Sequence, residues 1–186
     1  MARLDTAVNT DIPLAGRAFL DEIAAAEGAG YNTLFGGSRI EDLSKHPGIH
    51  VPIPHGKNKG KTTSAFGRYQ FEEDTWNDQA KKLGLTHMGP KNQDLAAWDL
   101  AQTKYNANTG RNLLDDLNTG DPKLYHGALR SLSKIWTSMP GGIEQSSRYG
   151  RRPVQEDLGP QEEIGRFDPT QIPLSDLFMS GIGRGS

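Results

Sequence analysis

Apolar positions along this chain follow two regimes. Up to about residue 27, and again from Phe71, they recur at helical spacing; between those points they do not. The run "FLDEIAAAEG" predicts a helix from near Pro13 to Glu27, with Gly28 and Gly30 as stop signals. Residues 31–70 are rich in Gly, Pro, His and Lys, with short β-like pieces at "YNTLF" and "IHVPIP". They predict a hairpin-like lobe with long loops, in which "GKNKGKTTSAFG" is basic and flexible. From Phe71 onward helices return. "EEDTWNDQAKKLGL" has acids in its first turn and lysines in its last, as the helix dipole prefers. "GPKNQDLAAWDLAQTKY" opens with Pro90 near a helix N-terminus. "RNLLDDLNTG" reads as a short helix ending at Gly120. In "DPKLYHGALRSLSKIWTSM", Leu124, Ala128, Leu132 and Trp136 recur at steps of four, a single buried stripe that "PGG" stops.

After Tyr149 the pattern ends in a polar, Pro- and Gly-punctuated stretch with one candidate docking segment, "IPLSDLF". The expected organisation is an N-terminal arm (1–12), an α+β domain (13–149) and an extended C-terminal tail (150–186), with no internal repeat. The length of 186 residues fits one domain with an appendage. A net charge of −2 gives no sign of a nucleic-acid partner. Without cysteine there is no disulfide, thiolate metal site or thiol nucleophile. No apolar run is long enough for stable membrane insertion, and none near the start suits a signal peptide.

Glu27 is the first candidate for chemistry. With Phe19 at the origin and 100° per residue, Ile23 falls at about 40°, Glu27 at about 80° and Leu20 at about 100°. Glu27 thus lies in the apolar sector, while Asp21 and Glu22 lie outside it. Burial and the negative end of a helix both favour a protonated carboxyl, the state a general acid needs at a glycosidic oxygen. The same position also suits a frayed helix end that turns its carboxylate into water.

"SAFGRYQF" leads from the loop lobe into a helix. Gly67 permits close approach or positive φ, and Tyr69 and Gln70 offer a flat face and an amide suited to sugars. The alternative is a loop-to-helix junction with Tyr69 in the core. Glu41 and Asp42 are adjacent acids expected to cap or face solvent. His46, His50 and His55 are interleaved with Pro47, Pro52 and Pro54, so they form no helical zinc motif, and no metal or cofactor is expected.

Several of these stretches resemble, in order, motifs of the phage lambda endolysin family, lysozyme-like lytic transglycosylases. They are "RAFLDEIAAAEG", "YNTLFGG", "SKHPG", "SAFGRYQF", "LGLTHMGPKNQDLAAWDL" and "SKIWTSMPGG", spanning about Gly16 to Gln145. The resemblance implies a lysozyme-like fold, a mainly helical lobe and a small β lobe with a substrate groove between them. It implies peptidoglycan glycan strands as partner and cleavage of the MurNAc–GlcNAc β-1,4 bond. The family's catalytic glutamate falls on Glu27 and its groove motif on Gly67, Arg68, Tyr69 and Gln70. The backbone from Ser64 to Gly67 would receive N-acetyl groups. Two stretches depart from the family: "TKYNANTGRNLL" is longer, and "PGGIEQS" lacks the usual tyrosine.

Two-carboxylate glycosidases need a second acid across the scissile bond. One lysozyme pattern places it nine residues after the glutamate, where this chain has Gly36. The expected mechanism therefore uses Glu27 alone and gives 1,6-anhydro-MurNAc ends. Two alternatives stand beside it. One is a hydrolase in which Glu41 or Asp42 positions water. The other is a virion component that mainly binds glycan, its tail docking to other phage proteins. Release through a holin lesion and delivery by a particle both fit the N-terminus.

Overall fold

The computed structural model describes residues 10–139. Most of the N-terminal arm, the "PGG" stop and the C-terminal tail lie outside the described residues. Five helices and a small sheet make up the described part: α1 Leu14–Glu27, β1 Val51–Pro52, β2 Thr62–Thr63, α2 Glu73–Leu83, α3 Pro90–Thr109, α4 Leu113–Asn118 and α5 Pro122–Leu132. The architecture is α+β and lysozyme-like, with the helices forming the larger lobe.

α1 buries Phe19, Leu20 and Ile23 as its angular pattern requires. Ile12, just before it, is also buried. Gly16 lets α1 approach α3 closely: a Cβ there would meet the Trp98 ring at 3.0 Å. Burying side chains of this size contributes roughly 1.5–3 kcal/mol each, so the α1–α3 contact with Phe19 and Ile23 sets the position of α1's last turn.

The β lobe is smaller than the β-like pieces suggested. β1 and β2 are antiparallel and two residues each, with Val51 opposite Thr63 and Pro52 opposite Thr62. "YNTLF" contributes only isolated bridges, Thr33 to Arg39 and Leu34 to Phe66. Proline lacks a ladder donor, so Pro52 and Pro54 keep the pairing short.

Two helix lengths differ from expectation. α3 continues past Tyr105 through "NANT". No apolar face marks that last turn; polar bonds hold it, Asn108 Nδ2 donating to Ser131 O at 2.8 Å and Thr109 Oγ1 to Tyr105 O at 2.7 Å. α5 stops at Leu132, and the chain goes on in turns. The expected stripe is therefore partly replaced. Ala128, Leu129 and Leu132 are buried from the helix, Leu124 is half-buried, and Trp136 is buried from a turn. Its indole Nε1 donates to Tyr69 O at 3.0 Å.

Candidate active site

Glu27 is the last residue of α1, half-buried beside Ile23, Ala24 and Ala26. Gly28 takes a left-handed turn, φ 67°, and returns its N–H to Ala24 O at 2.9 Å. A side chain at that φ is disfavoured by about 1–2 kcal/mol, so glycine ends the helix sharply. The chain then runs along a cleft of about 530 Å³ lined by Glu27, Gly36 and Gly37, by Asn58, Lys61 and Thr63 of the hairpin, by Gln70 and Glu72, and by Trp136 and its neighbours.

Gln70 sits in this cleft with φ 47°. Its Nε2 donates to Gly67 O at 2.8 Å and Thr33 O at 3.1 Å. Both amide hydrogens are thereby engaged, which leaves Oε1 to accept from a ligand.

The other residues of "SAFGRYQF" hold the turn that presents Gln70. Ser64 is buried; its Oγ donates to Glu72 at 2.6 Å and accepts from Glu73 N at 3.0 Å. Gly67 has φ 84°, and a Cβ there would overlap Gln93 Oε1. Arg68 N donates to that same Gln93 oxygen at 2.9 Å, while its guanidinium bonds Tyr31 OH at 2.9 Å and pairs with Asp21 at 2.5 Å. Tyr69 is 2 % exposed and donates to Asp94 Oδ1 at 2.8 Å.

The expected sugar face on Tyr69 is thus corrected to a core position, with its phenol pKa pushed upward by burial and then by the Asp94 charge. Tyr31 donates to the same oxygen and is pushed up to about 12, by burial first. Burial likewise raises the Asp94 carboxyl, against the two phenol bonds that lower it. Ser64, Gly67, Arg68 and Tyr69 do not line this cleft, and of the motif residues proposed for substrate only Gln70 does. Spacing alone did not separate the residue facing the groove from those that brace it.

Three residues that build the site escaped the sequence reading. Gln93, fully buried on α3, donates to Tyr31 O and Met88 O, each at 2.7 Å, and fixes the turn through its Oε1. Asp94 gathers both tyrosines. Glu72 is the third, a second acid in the cleft. It accepts from Thr63 Oγ1, from Ser64 N at 2.9 Å and from Ser64 Oγ at 2.6 Å. Burial would raise its pKa, but the bonds from Ser64 and Thr63 outweigh that and lower it. In the sequence it reads as the first of three acids at the start of α2, a pattern that the helix dipole already accounts for. Glu41 and Asp42 are elsewhere. Both are exposed; Glu41 pairs with Arg39 and accepts from Asn32, Asp42 accepts from Ser44 N, and neither lines the cleft.

The family model named Endolysin matches residues 17–157, which contain the whole cleft. The chain belongs to the endolysin family. The endolysin of Escherichia phage lambda is 36% identical over 135 residues, covering 67% of this chain and 77% of that protein. The endolysin of Escherichia phage P2 is 30% identical over 150 residues, covering 73% and 82%. Among solved structures, bacteriophage lambda lysozyme matches with a TM-score of 0.59 at 26% identity, over 75% of this chain and 87% of that one. The same lysozyme complexed with a chitohexasaccharide matches at 0.57 and 28%, over 70% and 82%. This endolysin is accordingly a lysozyme-like, peptidoglycan-cleaving phage enzyme. Glu27, the last residue of α1, and Glu72, just ahead of α2, both line its cleft.

Proposed function

We propose that this endolysin cleaves the MurNAc–GlcNAc β-1,4 bond of peptidoglycan glycan strands by a lytic transglycosylase route with Glu27 as its proton relay. The observation that carries the reading is the placement of Glu27, half-buried at the end of α1 and lining the cleft, with glycine at position 36 on the same wall. Glu27 donates its proton to the bridging oxygen as the C1–O bond breaks. The carboxylate then takes the proton of the MurNAc C6 hydroxyl, whose oxygen bonds to C1. Intramolecular attack has a high effective molarity, so the 1,6-anhydro-MurNAc end forms without water, and the steps call on no metal or cofactor.

The chitohexasaccharide in the related lambda lysozyme structure supports a glycan in this groove. Gln70 Oε1 is the acceptor for a sugar hydroxyl or acetamido N–H. Delivery through a holin lesion or by the particle suits this substrate equally.

The test is digestion of purified peptidoglycan with mass analysis of the products, wild type beside Glu27→Gln. Loss of cleavage by the folded variant, by about 10²-fold or more, with anhydro ends in the wild type, is the expected result. Near-normal cleavage by Glu27→Gln removes Glu27 from the mechanism. Binding to sacculi without cleavage by the wild type points instead to a glycan-binding virion component.

A further inference from the structure

Glu72 is an acid in a sugar cleft that the single-glutamate route leaves idle. It lines the same cleft as Glu27 and Gln70. Three donors fix its carboxylate, Thr63 Oγ1 on one oxygen and the Ser64 N–H and Oγ on the other. An ionised carboxylate has about four acceptor positions. One therefore remains, on the oxygen that Thr63 alone occupies.

Clamping β2 to the start of α2 explains the three bonds, but it does not require a full charge in a cleft. A serine or asparagine ahead of α2 caps a helix without that cost. The donors also keep the group ionised, since their bonds outweigh the effect of burial and hold its pKa low. Among the described residues Glu72 has no salt bridge that would satisfy the charge instead. A fixed, ionised acceptor with one open position, in the same cleft as a proton donor, supplies the group that holds and deprotonates a water in two-carboxylate glycosidases.

We infer that Glu72 holds a water in the cleft and delivers it to C1 of the cleaved sugar, giving this endolysin a hydrolytic outlet beside internal transfer. The inference rests on the Glu27 reading. As the C1–O bond breaks, Glu27 gives its proton to the departing oxygen. The water oxygen bonds to C1, and the water's proton goes to Glu72. One water is consumed per bond, and the product is a reducing MurNAc end. Exchange with solvent returns a proton to Glu27 and removes one from Glu72. The two outlets compete for the same C1, and their products differ by the mass of one water.

The experiment is mass analysis of muropeptides released from purified peptidoglycan by the wild type, Glu72→Gln and Asp42→Asn. The ratio of reducing to anhydro ends is read within each digest, so it does not depend on how much of a variant is folded. The wild type is expected to give both ends. Glu72→Gln is expected to lower the reducing share about tenfold or more, while Asp42→Asn, which removes an exposed acid outside the cleft, retains it. A wild type that gives anhydro ends only, or a ratio unchanged in Glu72→Gln, overturns the role of Glu72 and leaves the Glu27 reading intact. Reducing ends only, with cleavage lost in Glu72→Gln, upholds Glu72 and replaces internal transfer. Near-normal cleavage by Glu27→Gln defeats the underlying reading whatever the ratio.

Discussion

Gln70 is the one non-glycine residue with left-handed backbone among the described residues, and it lies in the cleft. Such a φ is held only where the surroundings over-determine it, and here two backbone carbonyls do so by taking both hydrogens of the amide. Gln70→Ala should lower stability by about 1–3 kcal/mol, the cost of stranding partly buried acceptors, read as a shift in the urea midpoint. The neighbouring tyrosine behaves differently. Tyr69→Phe removes one of the two phenol bonds to Asp94 but touches no cleft atom. Its expected signature is a stability loss of about 1–3 kcal/mol with kcat and KM on peptidoglycan unchanged. A raised KM with unaltered stability would return Tyr69 to the groove. Neither environment was legible from the letters "RYQ", because adjacent residues in a turn can face opposite ways and no period tells which.

At the scale of elements, helix ends matter more than helix interiors. The turn after α1 aims Glu27 into the cleft, and Gly28→Ala should cost about 1–2 kcal/mol and reduce cleavage further than that loss alone explains. Thermal melts compared with specific activity of the folded fraction would show the two effects apart. The corner between α3 and α4 is pinned by Asp116, which accepts from Arg111 and from Tyr105 OH at 2.6 Å. The Arg111 bonds first, then that of Tyr105, hold its carboxyl at about 2. A depressed carboxylate stabilises the fold above its unfolded pKa of about 3.9. The contribution is lost as pH falls from there through about 2. Arg111→Ala should therefore flatten the acid limb of a urea-midpoint profile between these values. "DLAAWDLAQTKY" announced α3 by its apolar period, but the last turn of α3 and the early end of α5 rest on polar bonds and turns that carry no such period.

For the whole molecule, His46 links the lobe of loops to the start of the helical lobe. It is buried, its Nε2 bonds Phe71 O at 2.9 Å, and Nδ1 accepts from Gly48 N at 3.1 Å. A donor to Nδ1 requires the neutral ring with its proton on Nε2. Burial lowers its pKa, against the Phe71 bond and the charges of Glu73 and Glu72, which raise it. The sign follows: the fold favours neutral His46, so this stabilisation is complete above about 6.5 and is lost as pH falls below it. The urea midpoint of the wild type should fall on acidification through that range, and His46→Gln should reduce the slope; an identical slope in the variant would assign it to other groups. Much of this molecule was determined by sequence alone. The spacing of Phe19, Leu20 and Ile23 specified α1 and set Glu27 on its apolar side, the charges of "EEDTWNDQAKKL" marked both ends of α2, and the order of motifs carried the family. These are local or one-dimensional signals, and periodicity and helix dipoles act within a few residues. Tertiary structure alone decided which polar groups share the cleft. Glu72 reaches it through Thr63 and Ser64, while Tyr69 leaves it for Asp94, 25 positions away. Such choices depend on contacts between distant segments and on buried hydrogen bonds that must all be satisfied together, and no local pattern records them.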